Sequence, residues 1–240
     1  MTHSTLRLLA VTTCAAAALA VAGCSSDSSD SSSPSTSSAT SSSASASTAA
    51  SSPSTGALVP RDIDATGTNF TIADYIKQNN IVETPLKPGA EGAPTIDLPM
   101  PEGWSTAGDK TPDYAYAAIE YTGPDASQAS YQPNFIALLS KLEGTVDAQA
   151  LIEAAPGEIK NLKGASVVDE RTTTLSGYPA YDIAATYDLE GTEALSAQKT
   201  VIIPGDGVTY ILQLNGTSDQ AQAEILGAAA KAIDGATISQ

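Results

Sequence analysis

Residues 25 to about 56 contain almost nothing but serine, threonine and alanine, broken by Asp27, Asp30, Pro34 and Pro53. Such a tract has no large apolar side chains to offset the backbone entropy lost on folding, so it is expected to stay disordered. It confines any packed core to the C-terminal part of the chain. From about residue 66 the composition turns globular, and the roughly 175 residues that remain are enough for one domain with a hydrophobic core. They show no internal repeat.

Ahead of the tract lies a second constraint. Arg7 is the only charge in the first 26 residues, and an apolar run from Leu8 to Ala22 leads into Val21-Ala22-Gly23-Cys24. This is the order of a charged leader, a short apolar stretch and a small-residue cleavage site. The run is about 15 residues, short of the roughly 20 that span a bilayer. Its last four residues resemble a lipobox, in which cleavage falls between Gly23 and Cys24 and the Cys24 sulfur carries diacylglycerol. An ordinary signal peptide with an incidental cysteine is the plainer alternative, and the small residues before the cysteine weigh against it. Acyl chains on Cys24 would anchor the protein to a membrane, each buried methylene contributing about 0.8 kcal/mol. The expected organisation is a signal peptide at 1–23, a lipidated cysteine and tether at 24–65, and a globular domain at 66–240. A tether of about 32 low-complexity residues reaches roughly 30 Å. The expected location is the extracytoplasmic face of the cell membrane, with some protein secreted.

Processing would also strip the chain of much chemistry. Cys14 and His3 leave with the signal peptide, and Cys24 is consumed by lipid. No thiol or imidazole remains for a disulfide, a Cys-His or Ser-His-Asp centre, or a histidine-ligated metal. No cofactor and no metal site are expected. The formal charge is −16, and loss of Arg7 takes it to −17. Such a surface repels nucleic acid and anionic headgroups, so nucleic acid is not an expected partner.

The domain reads as helix, strands, helix. Thr71-Ile-Ala-Asp74 has the spacing of a capping box, and Ile72, Tyr75 and Ile76 line one helical face that ends near Asn80. Pro85 and Pro88 mark an irregular connection, and Thr95–Leu98 a short strand. Further strands are expected at Tyr114–Tyr121 and at Asn134–Leu142, the latter apolar enough to be central. A short helix between Thr145 and Ala155 is stopped by Pro156, and Val167–Thr174 is a weaker strand. Tyr181, Ile183, Ala185 and Tyr187 alternate on one strand, and Leu189-Glu190-Gly191 turns the chain. Lys199–Ile203 leads through Pro204-Gly-Asp-Gly207 into a strand that carries Val208, Tyr210, Leu212 and Leu214 on one face. The last helix is expected to start at a Thr217-x-x-Gln220 box. Its inward stripe is Gln222, Ile225, Leu226, Ala229, Ala232 and Ile233, and Gly235 ends it. Hairpin-linked strands with helices at the ends predict an α+β fold, a single antiparallel β-sheet packed with helices.

The ordered set Leu98-Pro-Met-Pro-Glu-Gly-Trp104, Leu139-Ser-Lys-Leu-Glu-Gly144, Ala155-Pro-Gly-Glu-Ile159, Leu175-Ser-Gly-Tyr178, Gln198-Lys-Thr-Val-Ile-Ile-Pro204 and Tyr210-Ile-Leu-Gln-Leu-Asn215 resembles the LpqN/LpqT family of actinobacterial, mostly mycobacterial, lipoproteins. The resemblance spans about residues 66 to 238. It implies a Mog1/PsbP-like α/β sandwich and a noncatalytic envelope role, with an apolar cavity suited to lipid or glycolipid. Folds of this kind also serve as protein-docking modules, so an envelope transporter or a host protein is the alternative partner.

Tyrosine supplies nine of the twelve aromatic residues. Its apolar ring and polar tip suit the wall of an amphipathic cavity as well as half-buried strand positions under helices. If there is a cavity, its expected walls are Tyr181, Ile183 and Tyr187 on one strand and Tyr210, Leu212 and Leu214 on another, with the first or last helix as lid. Trp104, the single tryptophan, either gates this pocket or plugs the end of the core. No catalytic residues are assigned. A remote alternative is a glycan hydrolase using paired carboxylates, with Glu153 and Glu158 or Asp188, Glu190 and Glu193 as candidates. The last three lack EF-hand spacing for calcium, and Gly205-x-Gly207 lies between strands, not ahead of a helix, so it is a turn and not a phosphate loop.

Overall fold

A computed structural model describes residues 67–240. The signal peptide 1–23, the cleavage site at Gly23 and Cys24, and the tether 24–65 lie outside the described residues. The elements run α1 (Ile72–Gln78), β1 (Val82–Pro85), β2 (Thr95–Asp97), β3 (Trp104–Thr106), β4 (Ala117–Tyr121), β5 (Asn134–Glu143), α2 (Ala148–Ala154) and α3 (Gly157–Lys160). They continue with β6 (Ser166–Leu175), β7 (Tyr178–Leu189), β8 (Thr192–Pro204), β9 (Thr209–Asp219), α4 (Ala223–Ile233) and β10 (Thr237–Ser239).

One antiparallel sheet organises them, in the order β3-β4-β5-β9-β8-β7-β6. Strand β5 is central as expected. One side pairs along its length with β9, while the other is shared by β4 at residues 134–137 and β1 at residues 140–143. The long strands β7, β8 and β9 form two successive hairpins. The first turns at Glu190 and Gly191, both at positive φ, within the Leu189-Glu190-Gly191 turn expected from sequence. The fold is α+β, with helices on both faces of the sheet.

On one face α4 lays Leu226, Ala229 and Ile233 onto Phe135, Ala137, Leu139, Val201, Leu212 and Leu214. Strand β10 pairs with β2 beside it and adds Ile238. On the opposite face α1 and α2 bring Ile72, Tyr75, Leu151 and Ile152 onto Leu142, Ile202 and Ile211, while Ile159 of α3 packs on Ile183, Ala185 and Tyr187. Burying one such side chain fully contributes about 1.5 to 3 kcal/mol.

Local signals explain the helix ends. The capping box of α1 forms as predicted, Thr71 Oγ1 accepting from Asp74 N and the Asp74 carboxylate accepting from Thr71 N. Helix α2 is capped by Asp147, which accepts from the amides of Gln149 and Ala150. Helix α2 ends at Ala154, just ahead of Pro156 as expected, and a separate short helix follows. Pro156 occupies the N-cap position of α3 without a side-chain cap, and Gly157 is required next because a Cβ there would lie 2.1 Å from the Phe70 carbonyl oxygen. The predicted start of α4 is corrected: Thr217 lies within β9, which pairs with β8 as far as Asp219. Asp219 makes the cap instead. Its Oδ1 accepts from Gln222 N at 3.0 Å and its Oδ2 from Ser130 N at 2.7 Å, so one carboxylate starts a short 3-10 turn into α4 and holds the loop before β5.

Strand β1 replaces the irregular connection expected at Pro85. Pro85 is tolerated because it sits opposite Ser140 at a non-hydrogen-bonded pair, the ladder bond falling on the next residue, Leu86 N to Leu139 O, so its missing amide costs no bond to β5. Strand β3 is also additional. The chain enters it through a turn closed by Trp104 N donating to Pro101 O, with Gly103 at φ 77°. Gly103 is needed there for its positive φ and because a Cβ would meet the Tyr121 ring at 2.9 Å.

Candidate functional site

Strand register decides which side chains can share a cavity. Asp182 of β7 pairs with Lys199 of β8, which pairs with Leu214 of β9; the next row is Ile183, Gln198 and Asn215. Paired residues lie on the same face of a sheet and neighbours in sequence on opposite faces. Leu214 therefore lies on the α4 face, and Ile183 on the α3 face. The same parity puts Tyr210 and Leu212 with Leu214, and Tyr181 and Tyr187 with Ile183. The expectation that these two triplets wall one cavity is corrected, since the sheet itself stands between them.

The α4 face holds a groove of about 350 Å³, within the range of sites that take small ligands. Leu195, Ala197, Leu214 and Phe135 form its apolar floor, and Leu226, Gly227, Ala230 and Ile233 of α4 its roof. Small side chains create the space: Ala184 and Ala197 below, Gly227 and Ala230 above. Ile183 and Gln198 border it, although their side chains belong to the other face. Of the residues expected from sequence, Leu214 and Ile183 therefore meet the groove, and the last helix is its lid.

The others serve packing. Trp104 is buried in the core under α4, its ring 5.8 Å from that of Tyr121 and 5.7 Å from that of Phe135. Leu212 is fully buried, and the Tyr210 hydroxyl donates to the Gly92 carbonyl. Tyr187 is buried against α3. The Tyr181 hydroxyl donates to Glu170, which also pairs with Lys160 at 2.8 Å.

Burial, aided by that bond to a carboxylate, raises the Tyr181 hydroxyl to about 12. The Lys160 hydrogen bond, with that of Tyr181 second, lowers Glu170. Tyr181 therefore stabilises the fold fully below the ordinary tyrosine range and ceases to do so as pH rises through about 12. Glu170 contributes above the ordinary glutamate range and stops contributing as pH falls through its lowered value. Followed by phenolate absorbance, one tyrosine is expected to titrate well after the ordinary value near 10, and Tyr181→Phe should remove that late step. A wild-type titration without a late step would disprove the assignment.

Charged side chains surround the mouth of the groove, and sequence reading singled out none of them. Asp182 accepts from Lys199 and, at 2.7 Å, from Arg171, which also binds Asp169. Lys199 reaches Asp234 at the end of α4, 3.2 Å away. Lys231, one turn earlier, lines the groove with no ion pair among the described residues. The signal that could have found them is a lysine and an aspartate at the centre of strands otherwise lined by apolar and small residues. A larger hollow of about 610 Å³ beside Gly67–Phe70 and α1 lies open to solvent and offers no enclosed surface.

The proposed acid pairs are occupied otherwise. Asp188 binds Lys163 and accepts the Gly191 amide in its hairpin, and these lower its pKa. Glu158 accepts from Gln198 and Gln213, and Glu153 from Gln149. Among the described residues no three acids or metal-binding side chains gather into a metal site, and no helix is long and apolar enough to cross a membrane.

An antiparallel sheet with helices on both faces, and a groove under its last helix, define an α+β sandwich. The chain belongs to the family described as "Probable lipoprotein LpqN", whose profile matches residues 68–239. It is 40% identical over 171 residues to "Lipoprotein LpqN" of Mycobacterium tuberculosis, covering 71% of this chain and 74% of that protein. A lipoprotein LpqT of Mycobacterium leprae is 24% identical over 153 residues, covering 61% of this chain and 66% of that one. The crystal structure of LpqN described as involved in cell envelope biogenesis of Mycobacterium tuberculosis superposes with a TM-score of 0.67 at 40% identity, covering 72% of this chain and all of that one. The resemblance of the motifs to this family is thereby established, as is the α+β fold it implied.

Proposed function

We propose that this lipoprotein binds an amphipathic envelope molecule without catalysis, burying an acyl chain in the groove between α4 and the sheet and leaving the polar head at the charged mouth. The groove carries this reading: its floor and roof are apolar, and its rim is the Asp182–Lys199–Asp234 cluster. Apolar area removed from water contributes about 25 cal/mol per Å². Cell envelope biogenesis, the context given for the Mycobacterium tuberculosis LpqN, is a setting in which such a carrier has a use. Acyl chains on Cys24 would hold the domain at the extracytoplasmic face, within reach of membrane lipid.

The test is native mass spectrometry of the mature chain, residues 24–240, with Cys24→Ser so that it carries no anchor of its own. Extracted from cells, it is expected to carry a bound acyl-containing molecule that is released by denaturation. A protein mass with no adduct, together with failure to take up any amphipath in vitro, would defeat the proposal.

Docking of an envelope transporter or a host protein is the second reading. Strand β6 favours it, because among the described residues it ends the sheet with one side unpaired, and it exposes Val167 and Val168. A bulge at Val168 and the run Asp169-Glu-Arg171 guard that edge, as charges and bulges do elsewhere.

A further inference from the structure

We infer that the domain rests on its own membrane along strand β6, with Phe70, Val167 and Val168 in the headgroup layer and the groove mouth beside the lipid. Six large apolar side chains are exposed among the described residues, and three of them, Phe70, Val167 and Val168, flank α3. Asn161, just after α3, accepts from the Asn69 amide at 3.0 Å and donates to the Asn69 carbonyl, which holds the residues before Phe70 against that helix. Ile159 of α3 packs on Ala185, the strand partner of Val167. The described residues begin at Gly67, so the chain that leads back to Cys24 joins the domain at this same place.

Charge favours this edge. Residues 67–240 hold twenty-three aspartates and glutamates against nine lysines and arginines, so most of the domain is repelled by anionic headgroups. Around Val167 and Val168 the acids are paired: Glu170 with Lys160, Asp188 with Lys163, and Asp169 and Asp182 with Arg171. The bulge and charges that guard β6 against another strand do not hinder contact with lipid. The groove also ends here. Asp169 and Arg171, at its mouth, follow Val168 in β6 and lie on the α4 face, while Val167 lies on the α3 face. Three partly exposed side chains would hold a free protein weakly. An acyl anchor makes the contact intramolecular, at an effective concentration that a weak contact can use. The contact rests on the anchor at Cys24, and its use in loading the groove rests on the acyl-chain reading.

Acylation blocks the Cys24 sulfur, so Phe70→Cys, Val168→Cys and Asp206→Cys each give the mature lipoprotein one site for a spin label. The acylated proteins are reconstituted in vesicles of phosphatidylcholine and phosphatidylglycerol. Labels at 70 and 168 are expected to be reached by oxygen dissolved in the bilayer and shielded from a water-soluble nickel chelate. A label at 206, in the hairpin at the far end of β8, should stay in water. Phe70→Ser combined with Val168→Ser should slow uptake of a fluorescent monoacylglycerol from the vesicles several-fold. Affinity for the same probe, measured in solution on the Cys24→Ser chain, should not change, since neither residue lines the groove. Labels at 70 and 168 as wet as the one at 206 would overturn the contact. So would labels that are wet on vesicles yet shielded in cell membranes, which would assign the edge to a protein partner. Contact by both labels with uptake unchanged in the double variant would overturn the loading role. No uptake by any form would defeat the acyl-chain reading and leave the contact standing.

Discussion

Gly227→Trp is expected to weaken laurate binding by at least about tenfold, the scale of one well-placed anchor, while the melting temperature stays level or rises. Gly227 sits mid-way along α4 on the roof of the groove, and a Cβ built there meets no atom within 4 Å. Gly227 is exposed at the groove's edge, so a side chain there meets open space and not the core. Glycine inside a helix costs about 0.8 to 1 kcal/mol relative to alanine, so most replacements help the helix rather than harm it. An indole at this position occupies volume that an acyl chain would need. Gly227→Ala is the control: it should raise stability and leave binding near wild type. Undiminished binding by a folded Gly227→Trp protein would place the ligand elsewhere.

Leu212→Ala should cost about 2 to 5 kcal/mol of stability, the range for truncating a fully buried leucine, and lower Tm by roughly 4 to 20 °C for a domain of this size. Leu212 lies mid-way along β9, pairs with Leu139 and Val201 on the flanking strands, and is wholly buried. All three belong to the cluster under α4. Chemical denaturation with an unchanged slope would give the loss directly. Because Leu212 does not line the groove, the folded fraction should bind laurate with little change. A loss below about 1 kcal/mol would mean that this part of the core can collapse around the gap.

These two residues show where sequence reading succeeds and where it stops. The inward face that Leu212 shares with Tyr210 and Leu214 was legible because alternation along one strand repeats every two residues, but its expected place on a cavity wall was not met, since it is buried in the core. The capping box at Thr71 and the Glu190-Gly191 turn were legible as well, each resting on contacts a few residues apart. The start of α4 was misplaced because two local signals compete there, Thr217-x-x-Gln220 and Asp219-x-x-Gln222. Pairing of β9 with β8, decided across the sheet, consumed the first and left the second.

The amino-acid sequence by itself determined the antiparallel hairpins of the last third, the flanking helices α1, α2 and α4, and the family. All of these depend on residue types and short spacings. The tertiary structure decided which face each strand presents. Register sent Tyr181, Ile183 and Tyr187 to the side opposite Leu214, and it set Lys199 and Asp182 beside Leu214 beneath α4. A sheet has two equivalent faces until its strands pair, and a cavity is the space that packing leaves between elements far apart in the chain. Neither quantity is written in any single segment.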